Sequence, residues 1–556
     1  MKKPIEKIPI TVGVIGHRDA YLTDAHKSDI KKIFTDLIDK YPQSPIVLFS
    51  QLAEGADTDV AKLFLEVKTQ RKADFRLVVS LTYEEEYFLK RFDENAKNEF
   101  LRIKDDAYRS FVLYKYSRIF ENDLYRKGGQ FVADSSLVLI ALYDGVENGY
   151  KGGTADIVNY KISGSFKDEV VSHIFENEGS LINVLCKRFE NNDYKSNDNY
   201  LSGLLADKSI EKSLAKIESY NRKIEFIGED QFLNSSQQLL SVSEQEKVSD
   251  PKRQLKDFFV ILDNLAMQHQ LTYLRILKIF FVLGLFILLG FQFYKFIVGS
   301  YFVLSGILIL IGSALYLYNK NRKIQCHGNF LEHRIIAEAL RIQFFWNLAG
   351  VRKAAGNNIL RIHKAEFSWI KHVLLAIYGY TFEAKERTLD KNNFIKKYWI
   401  DDQNGYFKKK LIELKAKTKR FDSILKRIFW CAFFLLFVIA ILEFSNKDIK
   451  PDADQDFIKI LIILDGFLFG IFALIKAYQE KRGYRQIQNQ YTLMSTIYDA
   501  CSVKMNEIHD GKFLRYTREE QIEKLLYMTG KEALIENGNW YLIFKDKNPE
   551  VKGIGN

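Results

Sequence analysis

Two pairs of long apolar segments constrain this sequence more than any other feature. They cover residues 279–294, 297–318, 428–442 and 457–475. A helix rises about 1.5 Å per residue and the hydrocarbon core of a bilayer is about 30 Å thick, so the shortest segments span it only with tilt or local thinning of the bilayer. The sequence predicts four transmembrane helices in two hairpins, with a buried soluble hairpin as the alternative for each pair.

Basic residues flank the apolar segments and predict their orientation. They are Arg275, Lys278, Lys320, Arg322, Lys323, Lys426, Arg427, Lys476, Lys481 and Arg482. By the positive-inside rule these residues place the N-terminus, the central segment and the C-terminus in the cytoplasm. We expect a multi-pass protein of the bacterial inner membrane. Because the basic residues lie beside apolar segments, the net charge of +11 indicates a lipid membrane as the partner, and not nucleic acid.

Cysteine usage and the N-terminus limit the remaining classes. The four cysteines are scattered without the paired spacing of a zinc site or a disulfide framework. We therefore predict no metal site. The first residues are charged and lack the apolar core of a signal peptide, so no cleavable leader is expected.

The N-terminal part alternates strand patterns with helix patterns. Apolar runs predict strands at residues 8–15, 46–50, 75–81 and 136–143, and a last edge strand is proposed at 170–174. This alternation predicts a Rossmann-like α/β domain with a parallel sheet. Residues 91–125 are interpreted as a helical insertion. The predicted divisions are 1–200 for the α/β domain, 201–270 for a helical or linker segment, and 271–425 and 426–556 for the two membrane hairpins with their cytoplasmic helices.

Polar, glycine-containing motifs follow the predicted strands. Gly16-His17-Arg18 ends the first strand, residues 51–57 follow the second, and Asp144 with Gly152-Gly153-Thr154 follows the fourth. Glycine lets a backbone approach a phosphate closely, and a helix N-terminus, here with Thr154 as the expected N-cap, favours its charge. Arg18 can grip a phosphate with two N–H donors, although His17 can also be explained as a helix cap. We therefore predict an anion site at the carboxyl ends of the strands.

These motifs, in this order and spacing, resemble the SLOG superfamily of Rossmann-like nucleotide sensors. The resemblance covers roughly residues 8–175. It implies a nucleotide or ADP-ribose-type ligand and no required cofactor. The ligand-binding residues that it implies are Gly16, His17, Arg18, Ala53, Glu54, Gly55, Asp57, Asp144, Gly152, Gly153 and Thr154.

The chain departs from the catalytic LOG-type phosphoribohydrolases, which resemble it in this region. Their Gly-Gly-x-Gly-Thr-x-x-Glu pattern is replaced by Gly152-Gly153-Thr154-Ala155-Asp156. The third glycine and the glutamate are missing, which favours binding without turnover and no catalytic residues. If the domain does cut a glycosidic bond, the candidate acids are Glu54, Asp57 and Asp156.

The membrane half repeats one plan, a hairpin followed by a helix with an apolar stripe. After the fourth segment this stripe contains Tyr484, Ile487, Tyr491, Met494, Tyr498 and Cys501, which can pack within one chain or between chains. The plan resembles the SLATT group of two-transmembrane effectors found beside SLOG domains in bacterial conflict systems. Asp465, inside the fourth segment, is the candidate gate residue, with a protonated or hydrogen-bonded acid between helices as the alternative.

Together these patterns predict a membrane effector of anti-phage defence. A nucleotide- or NAD-derived messenger would bind the N-terminal domain, and the transmembrane helices would rearrange or form homo-oligomers that make the membrane leaky. A membrane-anchored hydrolase of N-glycosidic bonds, using Glu54 and Asp156, is the alternative. A scaffold with a degenerate pocket is a third possibility, which predicts that Gly153→Trp has no effect.

Overall fold

The computed structural model describes residues 6–147, 149–168, 180–188, 208–224, 239, 249–296, 299, 301–359, 364–383, 391–445, 454–511 and 517–545. The chain divides into two compact units. The first unit combines Met1–Leu262, Ile336–Ile395 and Glu519–Ile535, and the second combines Asp263–Ile335, Lys396–Arg518 and Glu536–Asn556. The cuts between the units fall inside several long helices.

A parallel sheet forms the centre of the first unit. Its strands are β1 (Ile10–Gly16), β3 (Ile46–Ser50), β4 (Phe75–Leu81), β5 (Arg109–Val112), β6 (Val138–Tyr143) and β7 (Ser180–Leu185). They lie in the order β5-β4-β3-β1-β6-β7, and every neighbouring pair is parallel. Two short strands, β2 (Ala20–Tyr21) and β8 (Lys187–Arg188), pair separately and antiparallel. The predicted α/β fold is confirmed.

Helices connect and cover these strands. They are α1 (Asp24–Lys40), α2 (Ala56–Arg71), α3 (Glu85–Phe88), α4 (Glu94–Asp105), α5 (Glu121–Ser135), α6 (Thr154–Ser163) and α7 (Lys208–Ile224). The central strands are apolar and buried along their length, as expected for a parallel sheet covered on both faces. The predicted strands at 8–15, 46–50, 75–81 and 136–143 are confirmed as β1, β3, β4 and β6.

Three local predictions differ from the structure or fall outside it. Residues 91–125 are not a purely helical insertion, because they contain the edge strand β5. Gly153, and not Thr154, is the N-cap of α6, and Thr154 is its first helical residue. The edge strand proposed at 170–174 lies outside the described residues, and the last described strand of the sheet is β7.

Long helices follow the α/β portion of the chain. They are α8 (Asp250–Phe296), α9 (Tyr301–Ile324), α10 (Cys326–Ala349), α11 (Lys364–Tyr380), α12 (Lys391–Ile395), α13 (Asp402–Ser445), α14 (Asp454–Arg482), α15 (Tyr484–His509) and α16 (Arg518–Lys545). A π-helical turn, Lys396–Asp401, connects α12 to α13. Of these helices, α8, α10 and α16 each have residues in both units.

One of these late helices, α11, belongs to the first unit and completes its core. It packs on α5 and α7. A Cβ at Gly379 of α11 would overlap the side chain of Ser135, so glycine permits this close approach. At the sheet edge, Arg109 of β5 donates a hydrogen bond of 2.8 Å to the carbonyl of Tyr380, which is 271 residues away in sequence. The sequence analysis did not anticipate this contact.

The apolar helices lie in the second unit. The four predicted segments fall within α8, α9, α13 and α14, in helical stretches that are long and apolar enough to cross a membrane. Few of their side chains are buried inside the protein. Helix α8 has 47 residues and is therefore about 70 Å long, well beyond the length of its apolar segment. These helices indicate a multi-pass membrane protein.

After each hairpin, one residue in the left-handed conformation ends the helix, and a further helix follows. Gln325 (φ 50°) separates α9 from α10, and Gly483 (φ 63°) separates α14 from α15. At each break the amide of that residue donates to the carbonyl four residues earlier. The apolar stripe of α15 packs on α13 of the same chain, where the ring centroids of Tyr498 and Phe407 lie 6.0 Å apart. Of the two packing arrangements left open by the sequence, this stripe therefore uses the one within the chain.

Candidate functional site

The order of the strands creates a topological switch point between β1 and β6. From β1 the chain proceeds to β3, β4 and β5 on one side, and then to β6 and β7 on the other. In open parallel sheets, ligands bind outside the carboxyl ends of the strands at such a point. Gly16 at the end of β1 lies opposite Leu142 of β6, and the amide of His17 donates to the Leu142 carbonyl at 3.0 Å.

Two predicted site residues meet at this point. His17 Nε2 lies 3.3 Å from Asp144 Oδ1, and the imidazole is almost fully buried. Asp144 Oδ1 also accepts a hydrogen bond from the amide of Val146, at 3.0 Å. This arrangement ties the β1 loop to the β6 loop. His17 does not cap the following helix, because the N-cap of α1 is Thr23.

Arg18 extends from the same loop toward solvent. Its guanidinium donates a hydrogen bond of 2.9 Å to the hydroxyl of Tyr125 in α5. The next residue is Asp19, and both of its carboxylate oxygens accept hydrogen bonds from Arg188 Nε, at 2.8 and 2.9 Å. This contact holds the loop against β8. Arg18 is therefore an exposed cation on an anchored loop, as recognition of an anion requires.

The loop after β3 packs against the β1 loop. Leu52 has a φ of 51° and Gly55 a φ of 86°, both in the left-handed region. A Cβ at Gly55 would overlap the carbonyl of Arg18, so this position requires glycine. A Cβ at Gly16 would likewise overlap Ala56, which means that these two glycines are required by loop packing.

Asp57 organises the β3 loop from inside. Its carboxylate is 5% exposed and accepts hydrogen bonds from the backbone amides of Gln51 and Ala53. Burial raises the pKa of Asp57 to about 7, although these amides and the charge of Arg18 act in the opposite direction. The carbonyl of Ala53 accepts a hydrogen bond of 2.8 Å from the Thr58 hydroxyl. Glu54, between these groups, is half-buried.

The glycine loop before α6 uses part of its backbone internally. The Gly152 amide donates to Asp156 Oδ2 at 2.8 Å, and the Gly153 amide donates to the Tyr150 carbonyl at 3.1 Å. These two amides are therefore engaged by the protein itself. Within the described residues, the amides of Thr154 and Ala155 at the start of α6 donate no hydrogen bond. An anion at this helix N-terminus would thus meet the first amides of α6, and not those of the glycine pair.

Helix α5 contributes side chains that the sequence analysis missed. Arg126 donates to both carboxylate oxygens of Asp156, at 2.8 and 3.1 Å, and Tyr125 holds Arg18. A Cβ at Gly152 would lie 2.7 Å from the carbonyl oxygen of Asn122, in the first turn of the same helix. The N-terminus of α5 therefore contacts both the Arg18 loop and the Gly152 loop. Its position before β6 was the available signal, since a helix that leads into a parallel strand begins near the carboxyl edge of the sheet.

The three candidate acids differ in their surroundings. Asp57 is enclosed by backbone amides, and Asp156 is held by Arg126 and the Gly152 amide. Glu54 has neither restraint among the described residues. Of the described His, Cys, Asp and Glu side chains, no group of three or more is placed to hold a metal ion.

The fourth membrane helix packs against the first through small residues. A Cβ at Gly466 would lie 2.7 Å from the Gln292 amide nitrogen, and one at Gly470 would overlap Leu288. One turn further along, Gly284 of α8 faces Leu474 of α14. Close approach at glycines four residues apart is typical of packed transmembrane helices. Asp465, the predicted gate residue, lies beside Gly466 and is 8% exposed.

Comparison with known proteins adds no family assignment. No protein-family model matches the chain, and no curated protein matches it significantly.

Proposed function

We propose that the chain is a membrane-embedded effector that binds a nucleotide- or NAD-derived messenger through a SLOG-like domain and responds by rearranging or oligomerising SLATT-like transmembrane helices. One observation carries the proposal: Arg18, His17 and Asp144 converge at the switch point of a parallel sheet, in a chain that also has four apolar helices. The expected setting is abortive infection during anti-phage defence, in the inner membrane of a bacterium.

The geometry supports distinct roles for the residues around the crevice. Arg18 is exposed and, among the described residues, is held by the hydroxyl and ring of Tyr125, so it can exchange that partner for a phosphate. The first amides of α6 supply further donors and the positive end of the helix dipole. The His17–Asp144 pair fixes the distance between the two loops that flank the ligand. An ADP-ribose-type molecule offers the phosphates that these groups recognise.

Coupling to the membrane uses the continuity of the chain. Helices α8, α10 and α16 each have residues in both compact units. A change in the first unit can therefore be transmitted along the backbone. Ligand binding shifts the helices only if the ligand prefers one arrangement of the protein. The basic residues that flank the apolar segments support a cytoplasmic position for the sensing domain, by the positive-inside rule.

A vesicle experiment tests this function. Purified full-length protein is reconstituted into lipid vesicles that contain a membrane-potential dye, and cyclic nucleotides and ADP-ribose derivatives are added in turn. We expect one compound to depolarise vesicles with the wild-type protein but not vesicles with Arg18→Ala. Lys167→Ala, which removes an exposed cation of the same domain, is the matched control. Absence of depolarisation with every compound would count against the proposal.

A hydrolase of N-glycosidic bonds is the second candidate. It is supported by Glu54, which is half-buried in the β3 loop and, unlike Asp57 and Asp156, is not held by backbone amides or an arginine among the described residues, so its carboxyl group is free to serve as an acid or base. Incubation of the purified protein with NAD and nucleotides, followed by detection of free base, separates the two functions. Turnover that is abolished by Glu54→Gln would favour the hydrolase.

A further inference from the structure

The most buried side chain in the fourth membrane helix is a carboxylate. Across residues 456–482 of α14, Asp465 is the one side chain in the buried class, and the apolar residues around the rest of the helix are more exposed. Asp465 Oδ1 has no hydrogen-bond partner among the described residues. The helix thus directs its acid inward and its apolar side chains outward, as a helix in lipid with a functional polar interior does.

Among the residues whose side chains the structure describes, no charged group of a neighbouring membrane helix pairs with Asp465. The apolar segments 279–294, 297–318 and 428–442 contain no Asp, Glu, His, Lys or Arg. On α14 itself, Lys459 lies about 9 Å along the helix axis. Its side chain is 52% exposed and bonds to Asp456 at 2.9 Å. An ionised Asp465 would therefore be a buried charge without a partner, and such groups take up a proton.

The contact between α8 and α14 adds a second polar group. The side chain of Gln292 faces Gly466, the residue after Asp465. A glutamine is rare in an apolar membrane segment, because its amide is costly to place in hydrocarbon unless other polar groups or water satisfy it. Gln292 of α8 and Asp465 of α14 therefore lie at about the same height along the two helices, which are otherwise apolar there.

We propose that Asp465 is an intramembrane proton-binding site. With α8 and α14 packed, the carboxyl group carries a proton and is neutral, and loss of that proton requires water to enter between the helices. The site is thus the point at which packing of the two hairpins is linked to hydration of the membrane interior. This inference rests on the membrane placement within the proposed function and is independent of the nucleotide site.

Labelling with N,N′-dicyclohexylcarbodiimide tests the proposal. This lipid-soluble reagent adds to protonated carboxylic acids: the acid O–H adds across a C=N bond, and the adduct rearranges to a stable N-acylurea without a leaving group. Full-length protein in vesicles of phosphatidylethanolamine and phosphatidylglycerol is treated at neutral pH, and its peptides are analysed by mass spectrometry. We expect an adduct at Asp465, its loss in Asp465→Asn, and none at Asp456, which is exposed and paired with Lys459.

The controls make every outcome informative. Protein dissolved in acidic dodecyl sulfate, where all carboxyl groups are protonated and accessible, shows that the reagent and the detection work at both positions. An unlabelled Asp465 in vesicles, or equal labelling of Asp456, would overturn the proposal. Arg18→Ala is expected to label like the wild type, so a failed nucleotide site does not change the result.

Discussion

The imidazole of His17 and the carboxylate of Asp144, 3.3 Å apart, join the carboxyl ends of β1 and β6 across the switch point of the sheet. The two residues are 127 positions apart in sequence. Their contact holds together the two loops between which a ligand of a parallel α/β domain binds. The two loops of the candidate site are therefore held together by a direct side-chain contact.

We predict that Asp144→Asn loosens both loops. A hydrogen bond to a charged group contributes about 1.5–3 kcal/mol, so loss of the carboxylate charge should make local opening about tenfold or more frequent. The measurement is hydrogen exchange of the full-length protein in detergent, at residues 17–23 and 144–147. Asp24→Asn, which alters a fully exposed carboxylate at the start of α1, should leave this exchange unchanged. Equal exchange in wild type and Asp144→Asn would contradict the prediction.

Asp57 should make the stability of the first unit depend on pH. Its pKa is raised from 3.8 to about 7 in the folded protein. Between these values the folded state holds a proton that the unfolded state has released, so this contribution is full below pH 4 and is lost as the pH rises through 7. The stability of Asp57→Asn relative to wild type should therefore increase with pH across this window.

Thermal unfolding of the wild type and of Asp57→Asn at several pH values between 4 and 8 shows whether their difference in stability changes with pH in the predicted direction. Asp59→Asn changes a carboxylate of the same helix that is partly exposed and paired with Lys62, and serves as the control. A constant difference between Asp57→Asn and wild type at every pH would refute the assignment.

The ion pair of Arg126 and Asp156 should behave as one unit. Both side chains are largely buried, and the pair closes the Gly152 loop. We expect Arg126→Met and Asp156→Asn each to lower stability, and the double variant to lose less than the sum, with a coupling of about 0.5–3 kcal/mol. The exposed pair Lys167–Glu147 should show a coupling near zero. Additive effects at Arg126 and Asp156 would leave Asp156 available for a catalytic role.

Gly470→Leu should disrupt the packing of α8 against α14. A Cβ at this position already overlaps Leu288, and overpacking of this kind costs about 1–3 kcal/mol. We expect a lower unfolding temperature in detergent and leaky vesicles without any messenger. Gly312→Leu is the matched control, because a Cβ at Gly312 of α9 meets nothing within 4 Å. Identical behaviour of the two variants would show that the glycine contact does not hold the hairpins together.

The sequence predicted those features that depend on local pattern. Buried strands such as β3 and β6 are continuous apolar runs, and four helices are long and apolar enough to cross a membrane. The edge strand β5, Arg-Ser-Phe-Val, is short and half polar, so its pattern gave no signal. Contacts between distant segments were also inaccessible. Neither the hydrogen bond from Arg18 to Tyr125 nor the packing of α11 beside Ser135 follows from periodicity.

The same limit applies to the glycine motif. Spacing suggested that Gly152 and Gly153 hold a phosphate, whereas their amides already bond to Asp156 and Tyr150. A sequence pattern identifies where a backbone can approach a ligand, but the side chains that occupy its donors come from tertiary structure. The anion-binding role therefore shifts, within the proposal, to Arg18 and the first amides of α6.

Ligand-dependent thermal stabilisation of the full-length, detergent-purified protein tests the central claim most directly. A ligand present at 100 times its Kd stabilises the folded state by about 2.7 kcal/mol. From a panel of ADP-ribose derivatives and cyclic nucleotides, we predict that at least one compound raises the unfolding temperature of the wild type and of Lys167→Ala but not of Arg18→Ala. No shift with any compound, or an equal shift in Arg18→Ala, would contradict the account.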